Sequence, residues 1–355
     1  MTAMLRSVLS VRRRCGAVIA VALALAPGMS QAKVRELKVM TQNLYLGSSL
    51  DDAVNAPDAT AFLVAVATIY ATVQFTNFPA RANAIAAEVA ARNPDIIGLQ
   101  EVSNWSSVGP GAPPSLDFLA ILQQALQNQG LSYSVAAVSN NANIGPIPLL
   151  FPCSGAFPSC FLTLQDRDVI LVNDDSSDLE FSNPQSGQYA TQEILATPVG
   201  PLSFARGWCS IDGTLQGKKF HFVDTHLETE TYPAVQEAQG QEFLAGPAKA
   251  GGAVVATGDF NSAADGSTTT TYANLTKSYF DDAWDTNPGD PGFSCCQNST
   301  LTNPVSQLSS RIDLVLTHAA SRALDADLIG DAPFEAMPPL WPSDHAGVIA
   351  TLRIH

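Results

Sequence analysis

The stretch GGAVVATGDFNS, Gly251 to Ser262, decides how the chain folds. Ala253, Val254, Val255 and Ala256 form an apolar run with no polar face, the pattern of a strand covered on both sides. The run ends on an acid and an amide two positions apart, Asp259 and Asn261, with Gly258 before them and Gly266 beyond. A tight turn explains such an ending cheaply. The rim of a site explains it equally well, and the neighbouring segments decide between the two.

Working outward, strand-like and helix-like segments alternate. ELKVMTQNL reads as an opening strand, and AFLVAVATIYATV and FPARANAIAAEVAAR as helices. They run to Asn93-Pro94, a helix stop, and the short strand DIIGLQEV. Residues 103–115 read as a loop, and DFLAILQQALQNQG as an amphipathic helix ending at Gly130. YSVAAVS and RDVILVN are strands on either side of a cysteine loop. CSIDGTLQGKKFHFVDTHL reads as a hairpin turning at Gly217, followed by a helix over PAVQEAQGQEFLAG. AVVATGDF, RIDLVLTH and HAGVIATLRI are the last strands. Strands that are partly alternating and partly all-apolar, with helices early and late, fit mixed sheets packed face to face with helices outside. A doubly wound single sheet fits less well.

The N-terminus reads as a leader. Arg6, Arg12, Arg13 and Arg14 precede GAVIAVALALA and the small-residue site PGMSQA, the three parts of a secretory signal peptide. Cleavage after Ala32 would leave Lys33–His355 as one catalytic domain, secreted or periplasmic, with no membrane span of its own; we expect a monomer. The full chain carries a formal charge of −15. Such a field repels polyanions at long range and argues against a broad basic nucleic-acid face. A bound divalent cation inverts the field locally, so a nucleic-acid substrate stays open. Export permits disulfides. Cys153 and Cys160, bracketing CSGAFPSC, are the expected pair; Cys209 can bond to Cys295 or Cys296, which leaves one thiol over. No spacing matches a cysteine-ligated zinc.

Polar groups recur where strands end: Asn43, Glu101, His226, Asp259 with Asn261, Asp313, and Asp344 with His345. Singly each has a plain reading: a turn cap, a core histidine, a salt bridge from Asp313 to Arg311. Together they have a chemical one. Acids and an amide oxygen are hard donors that suit Mg²⁺ or Mn²⁺. Two histidines can donate to a phosphate or activate water, and an aspartate behind a histidine fixes its tautomer. The opening stretch is thus read as a site rim.

In order, TQNLYLG, DIIGLQEV, FVDTHLE, TGDFNS, RIDLVL and PSDHAGV resemble the motifs of the endonuclease/exonuclease/phosphatase (DNase I-like) superfamily. The resemblance implies an α/β fold, a four-layer α/β/β/α sandwich of two mixed sheets with outer helices. It implies Asn43, Glu101 and Asp344 at a divalent cation and His226 on the scissile phosphate. It further implies Asp259 on the attacking water, Asn261 on the phosphoryl oxygens, and Asp313 paired with His345. The expected activity is metal-dependent hydrolysis of a phosphodiester: a nucleic acid first, otherwise a phospholipid head group or a small phosphoester. A catalytically inactive binding protein of the same fold is the remaining alternative. Two departures bear on substrate. The loop NWSSVGPGAPPS carries no basic residue, and Trp105, Trp208, Trp284 and Trp341 are isolated rather than grouped into a membrane-gripping hairpin.

Overall fold

A computed structural model describes residues 35–277 and 279–355; the expected signal peptide, 1–32, lies outside the described residues. Strands of the first half are β1 (Leu37–Asn43), β2 (Ile96–Gln100), β3 (Asn104–Val108), β4 (Leu116–Asp117), β5 (Tyr133–Pro148), β6 (Phe161–Asn173), β7 (Leu179–Gln188), β8 (Ile194–Thr197) and β9 (Gly200–Ser203). The second half holds β10 (Gly207–Leu215), β11 (Lys218–His226), β12 (Ala253–Asp259), β13 (Asp281–Asp282), β14 (Asp313–His318), β15 (Ser321–Ile329), β16 (Glu335–Ala336), β17 (Pro339–Leu340) and β18 (Gly347–Ile354). Helices are α1 (Asp51–Val54), α2 (Ala59–Phe75), α3 (Phe78–Arg92), α4 (Phe118–Asn128), α5 (Pro233–Ala245) and α6 (Thr271–Thr276).

One sheet runs β15-β18-β1-β2-β6-β3-β4, with β5 also paired to β6; the other runs β13-β14-β12-β11-β10-β7. Both are mixed: β1 is parallel to β2 and β11 to β12, while their other neighbours are antiparallel. Side-chain alternation sorts each strand onto two faces. From β12, Ala253 and Val255 enter a core between the sheets, and Val254 and Ala256 enter one beneath α5 and α6. From β2, Ile96 faces the other sheet, and Ile97 and Leu99 face α2, α3 and α4. Three apolar cores therefore separate four layers, helices–sheet–sheet–helices, as the resemblance implied. Asp58 caps α2 by accepting from the Ala61 N–H at 2.8 Å, and Asp117 caps α4. A residue of this kind just before an apolar run is the expected helix start.

The expected strands, helices and hairpin all form. Three differences have physical causes. Residues 103–115 are not all loop, because Asn104–Val108 pairs with β6 and buries Trp105 beneath the helices. Beyond YSVAAVS, β5 continues to Pro148 along a lengthened β6, through register shifts that local pattern does not reveal. Cys209 is a free thiol fully enclosed between the sheets, whereas Cys295 and Cys296 lie side by side at the cleft described below. The pairing proposed for Cys209 is thereby corrected. The expected Cys153–Cys160 bridge is present. Among the described residues no single helix is long and apolar enough to cross a membrane.

Beneath the site the inter-sheet layer turns polar. The Asp224 carboxylate accepts from Gln100 Nε2 at 2.8 Å and from Thr257 Oγ1 at 2.7 Å, with its other oxygen unpartnered. Gly98 makes this seam possible. A Cβ there would lie 2.1 Å from Asp224 Oδ1 and 2.5 Å from Thr257 Oγ1, so any side chain would force the sheets apart.

Candidate active site

The alternation that fills the inter-sheet core also builds the site. Asn43, His226 and Asp259 end β1, β11 and β12, and Asp313 begins the antiparallel β14, so all four reach the same edge of the layer. Each shares its strand parity with core residues facing the other sheet: Val39, Phe222, Val255 and Val315. Backbone register sets Asp259 beside His226 on one side and beside Asp313 on the other. Glu101 follows β2 with φ of 53°, a left-handed conformation that turns its carboxylate toward this edge rather than continuing the strand. Such backbone outliers concentrate at functional sites.

A cleft of about 780 Å³ opens over this edge. Glu101, His226, Asp259, Asn261, Asp344 and His345 line it. Asn43 and Asp313 stand behind it, fully buried. All eight residues singled out in the sequence thus converge on one place. Asn43 Nδ2 donates to Asp259 Oδ2 at 3.1 Å and to Glu101 Oε1 at 3.3 Å, while its oxygen accepts the Tyr45 N–H at 2.8 Å. Glu101 Oε2 accepts the Leu46 N–H at 2.6 Å. Asp313 Oδ2 lies 2.8 Å from His345 Nδ1, leaving Nε2 for the cleft. Arg311 pairs instead with Asp282, so the salt-bridge reading of Asp313 falls away. Asp259 Oδ2 is 3.4 Å from His226 Nε2 and 3.9 Å from His345 Nε2. The Asn261 amide nitrogen is committed to His226 Nε2 at 3.2 Å and the Leu227 carbonyl at 3.0 Å, and so holds the imidazole in place.

The two histidines differ in charge for stated reasons. Burial, then Arg206 and His345, hold His226 well below the usual imidazole range and keep it neutral. Burial also opposes charge on His345, but Asp313, Asp344 and Asp259 outweigh it and hold that imidazole well above the range. Burial and Asp313 push the Asp259 carboxyl up to about 7, against the pull of His345. His226 therefore keeps one lone pair, and His345 carries two N–H donors.

Two arginines complete the site. Arg206 lies against His226, with its NH1 3.1 Å from Nε2 and 3.2 Å from Nδ1, and pairs with Glu228 at 3.3 Å. Among the described residues lining the cleft it is the one Lys or Arg. Arg81, fully buried, donates to the carbonyls of Leu44 at 2.6 Å, Tyr45 at 3.0 Å, Thr76 at 3.1 Å and Pro342 at 3.0 Å. It thereby ties the turn after Asn43 to the segment carrying Asp344. Only its place among the apolar residues of α3 could have signalled it, because a buried guanidinium needs several acceptors.

Carboxylates and imidazole able to hold a metal ion are present: Asp259, Asp313 and His345 offer ligand atoms within 4.8 Å of one another. Of these, Asp313 and His345 are already bonded together. Glu101 and Asp344, which add hard oxygen donors to the cleft wall, extend the same donor set to the rim.

Comparison with known proteins identifies the family and the fold. The family model described as "Endonuclease/Exonuclease/phosphatase family" matches residues 40–345. No curated protein matches the chain in sequence. Among solved structures, the endonuclease/exonuclease/phosphatase from Beutenbergia cavernae is 20% identical, covering 90% of this chain and 72% of its own, with a TM-score of 0.56. A family protein from Bacteroides thetaiotaomicron is 16% identical over 91% of this chain and all of its own, with a TM-score of 0.55. D. rerio TDP2, solved with a single-strand DNA product, is 16% identical over 89% of this chain and 98% of its own, with a TM-score of 0.51. At such identities the likeness is one of fold. From the family match over most of its length and the four-layer fold, this chain belongs to the endonuclease/exonuclease/phosphatase family, whose members are phosphoesterases and nucleases.

Proposed function

We propose that the protein is an exported phosphodiesterase, dependent on Mg²⁺ or Mn²⁺, that cleaves by in-line attack of water on phosphorus. The observation that carries this reading is the Asp259 carboxylate, held by Asn43 and set between His226 and an Asp313-backed His345 in one cleft. Glu101 and Asp344 would hold the cation, joined by Asn43 once its amide turns to present the oxygen that now accepts the Tyr45 N–H, and the donor set is wholly hard. When bound, the cation would offset charge growing on the phosphoryl oxygens. Asp259 orients the water and takes its proton as the new P–O bond forms and the leaving P–O bond breaks. His345 and Arg206 donate to the phosphoryl oxygens, and Asn261 holds His226 against the phosphate. Such positioned donors are worth roughly 10²–10³ in turnover each.

A nucleic acid is the first substrate to test, as a monomeric enzyme would meet it outside the cytoplasm. With Arg206 as the one Lys or Arg among the described residues along the cleft, few phosphates are neutralised, so the binding constant should fall with salt by a log–log slope near −1, far shallower than that of a basic-faced nuclease. One observation favours a second reading. An apolar cavity lined by Leu50, Phe62, Trp105, Leu195, Leu202 and Phe204 adjoins the cleft, with Leu50 in both walls. An apolar group on the phosphodiester, as in a phospholipid, could lodge there. The test is a metal-supplemented panel of single- and double-stranded DNA, RNA, sphingomyelin, phosphatidylcholine and bis-p-nitrophenyl phosphate. Hydrolysis of a nucleic acid with shallow salt dependence supports the first reading, and a preference for lipids the second. No turnover of any member would leave the inactive binding protein.

A further inference from the structure

The cleft carries two cysteines that phosphodiester hydrolysis does not use, set against a histidine that it does. Residues 294–297 run antiparallel beside 344–346: the Ala346 N–H donates to Ser294 O at 2.8 Å, and the Gln297 N–H to Asp344 O at 2.8 Å. Cys295 forms bridges with both Ser310 and His345. Backbone pairing therefore sets both cysteines against the histidine. Both line the cleft, Cys295 buried and Cys296 exposed. Cys296 Sγ lies 3.9 Å from His345 Nε2, and the two sulfurs and one imidazole nitrogen all fall within 4.8 Å of one another. Asp344 Oδ1, 3.9 Å from the same nitrogen, borders a fourth position.

We infer that the reduced Cys295–Cys296 pair and His345 Nε2 form an inhibitory site for a thiophilic divalent cation of the Zn²⁺ type. Two thiolates and an imidazole are the donors such a cation takes in tetrahedral sites, and Mg²⁺ does not compete for sulfur. The Asp313 carboxylate on Nδ1 supplies the outer partner that metal-bound histidines usually have, and it aims Nε2 at the cysteines. Where the two thiols have oxidised to a disulfide, a thiol reductant first opens it: two electrons and two protons restore both thiols, and the reductant becomes a disulfide. Zn²⁺ then replaces both thiol protons and the proton on Nε2, which are released, with no change of oxidation state. The binding claim stands on this cluster alone. The inhibition claim rests on the proposed function, because the ion would occupy the nitrogen assigned to phosphate.

The test uses full-length protein in excess Mg²⁺, oxidised or reduced with a phosphine, titrated with Co²⁺ as a spectroscopic probe and with Zn²⁺ as an inhibitor. Reduced wild type should show a thiolate-to-cobalt band saturating at one ion per chain, and oxidised wild type none from this site. Cys296→Ser should weaken binding by at least the ~10-fold that losing an outer partner costs, and raise the inhibitory Zn²⁺ concentration similarly. Cys296 is exposed, so this variant leaves the core intact; Cys295→Ser, checked by circular dichroism, is the second. Reduction also frees Cys153 and Cys160, so the deciding difference is the one between reduced wild type and the reduced variants, in which Cys153, Cys160 and Cys209 are all the same. An identical band in wild type and both variants, or no band in reduced wild type, overturns the site. If the band behaves as expected but no form turns over any substrate, the site stands and the proposed function fails.

Discussion

Replacing Arg81 with methionine tests whether a buried cation holds the site together. The guanidinium makes four hydrogen bonds to backbone carbonyls and stacks 4.8 Å from the Phe78 ring centroid, with nothing exposed. Burial lowers its pKa to about 10, against the pull of Asp344, Tyr45 and Glu101, so it remains charged at neutral pH. Methionine fills similar space but leaves the four carbonyls without this donor. At about 1–3 kcal/mol for each buried acceptor left unmade, reduced where water enters, the expected loss is about 3–5 kcal/mol. For a domain of this size that lowers Tm by about 5–7 °C. Two of the carbonyls belong to Leu44 and Tyr45, directly after Asn43, and a third to Pro342, two residues before Asp344. The Mg²⁺ concentration for half-maximal activity should therefore rise as well. Lysine keeps the charge but cannot span four acceptors, so Arg81→Lys should fall between the two. Thermal melts and metal titrations of the three proteins decide. A Tm within about 2 °C of wild type in Arg81→Met, with an unchanged metal requirement, refutes the reasoning.

Two further perturbations address the chemistry and the core. His345→Ala should lower turnover at least ~10²-fold, and the double variant with Asp313→Asn should be scarcely worse than His345→Ala alone, whereas strictly additive losses would mean that Asp313 acts elsewhere. Asp224, pushed up to about 8 by burial, takes up a proton on folding. Its contribution to stability is complete below the unfolded carboxyl value of about 4 and is lost as pH rises through about 8, so wild-type Tm should fall across that window. Asp224→Asn should flatten the fall, and an unchanged slope in melts taken at several pH values contradicts this.

Much of the site was legible because strand periodicity carried it. Asn43, His226 and Asp259 stand on the parity of apolar residues that face the other sheet, so a pattern that predicts a core also predicts which polar residues crown it. Glu101 was legible as an acid after an apolar run, but not as a residue in a left-handed turn. Elements without that pattern were missed. β7 is almost wholly exposed, β8 and β9 form a small separate hairpin, and β3 is fixed by long-range pairing rather than local alternation. Arg81 was illegible because nothing local distinguishes a guanidinium that finds carbonyls across the fold from one that faces water. The Cys209 pairing failed for the complementary reason. Its partner had to reach the inter-sheet core, while Cys295 and Cys296 are held at the rim by pairing with Ser310 and His345.

The central claim is that this cleft hydrolyses phosphodiesters with a cation held by Glu101 and its neighbours. The most direct measurement is hydrolysis of bis-p-nitrophenyl phosphate by chelator-stripped protein, titrated with Mg²⁺, for wild type and Glu101→Gln. Stripped wild type should be inactive and recover at millimolar Mg²⁺ or Mn²⁺. Glu101→Gln keeps an oxygen for the Leu46 N–H, so it should melt near wild type yet need at least ~10-fold more metal or fail to recover. Full activity in metal-free protein, or a Glu101→Gln variant indistinguishable from wild type across the titration, would contradict the account.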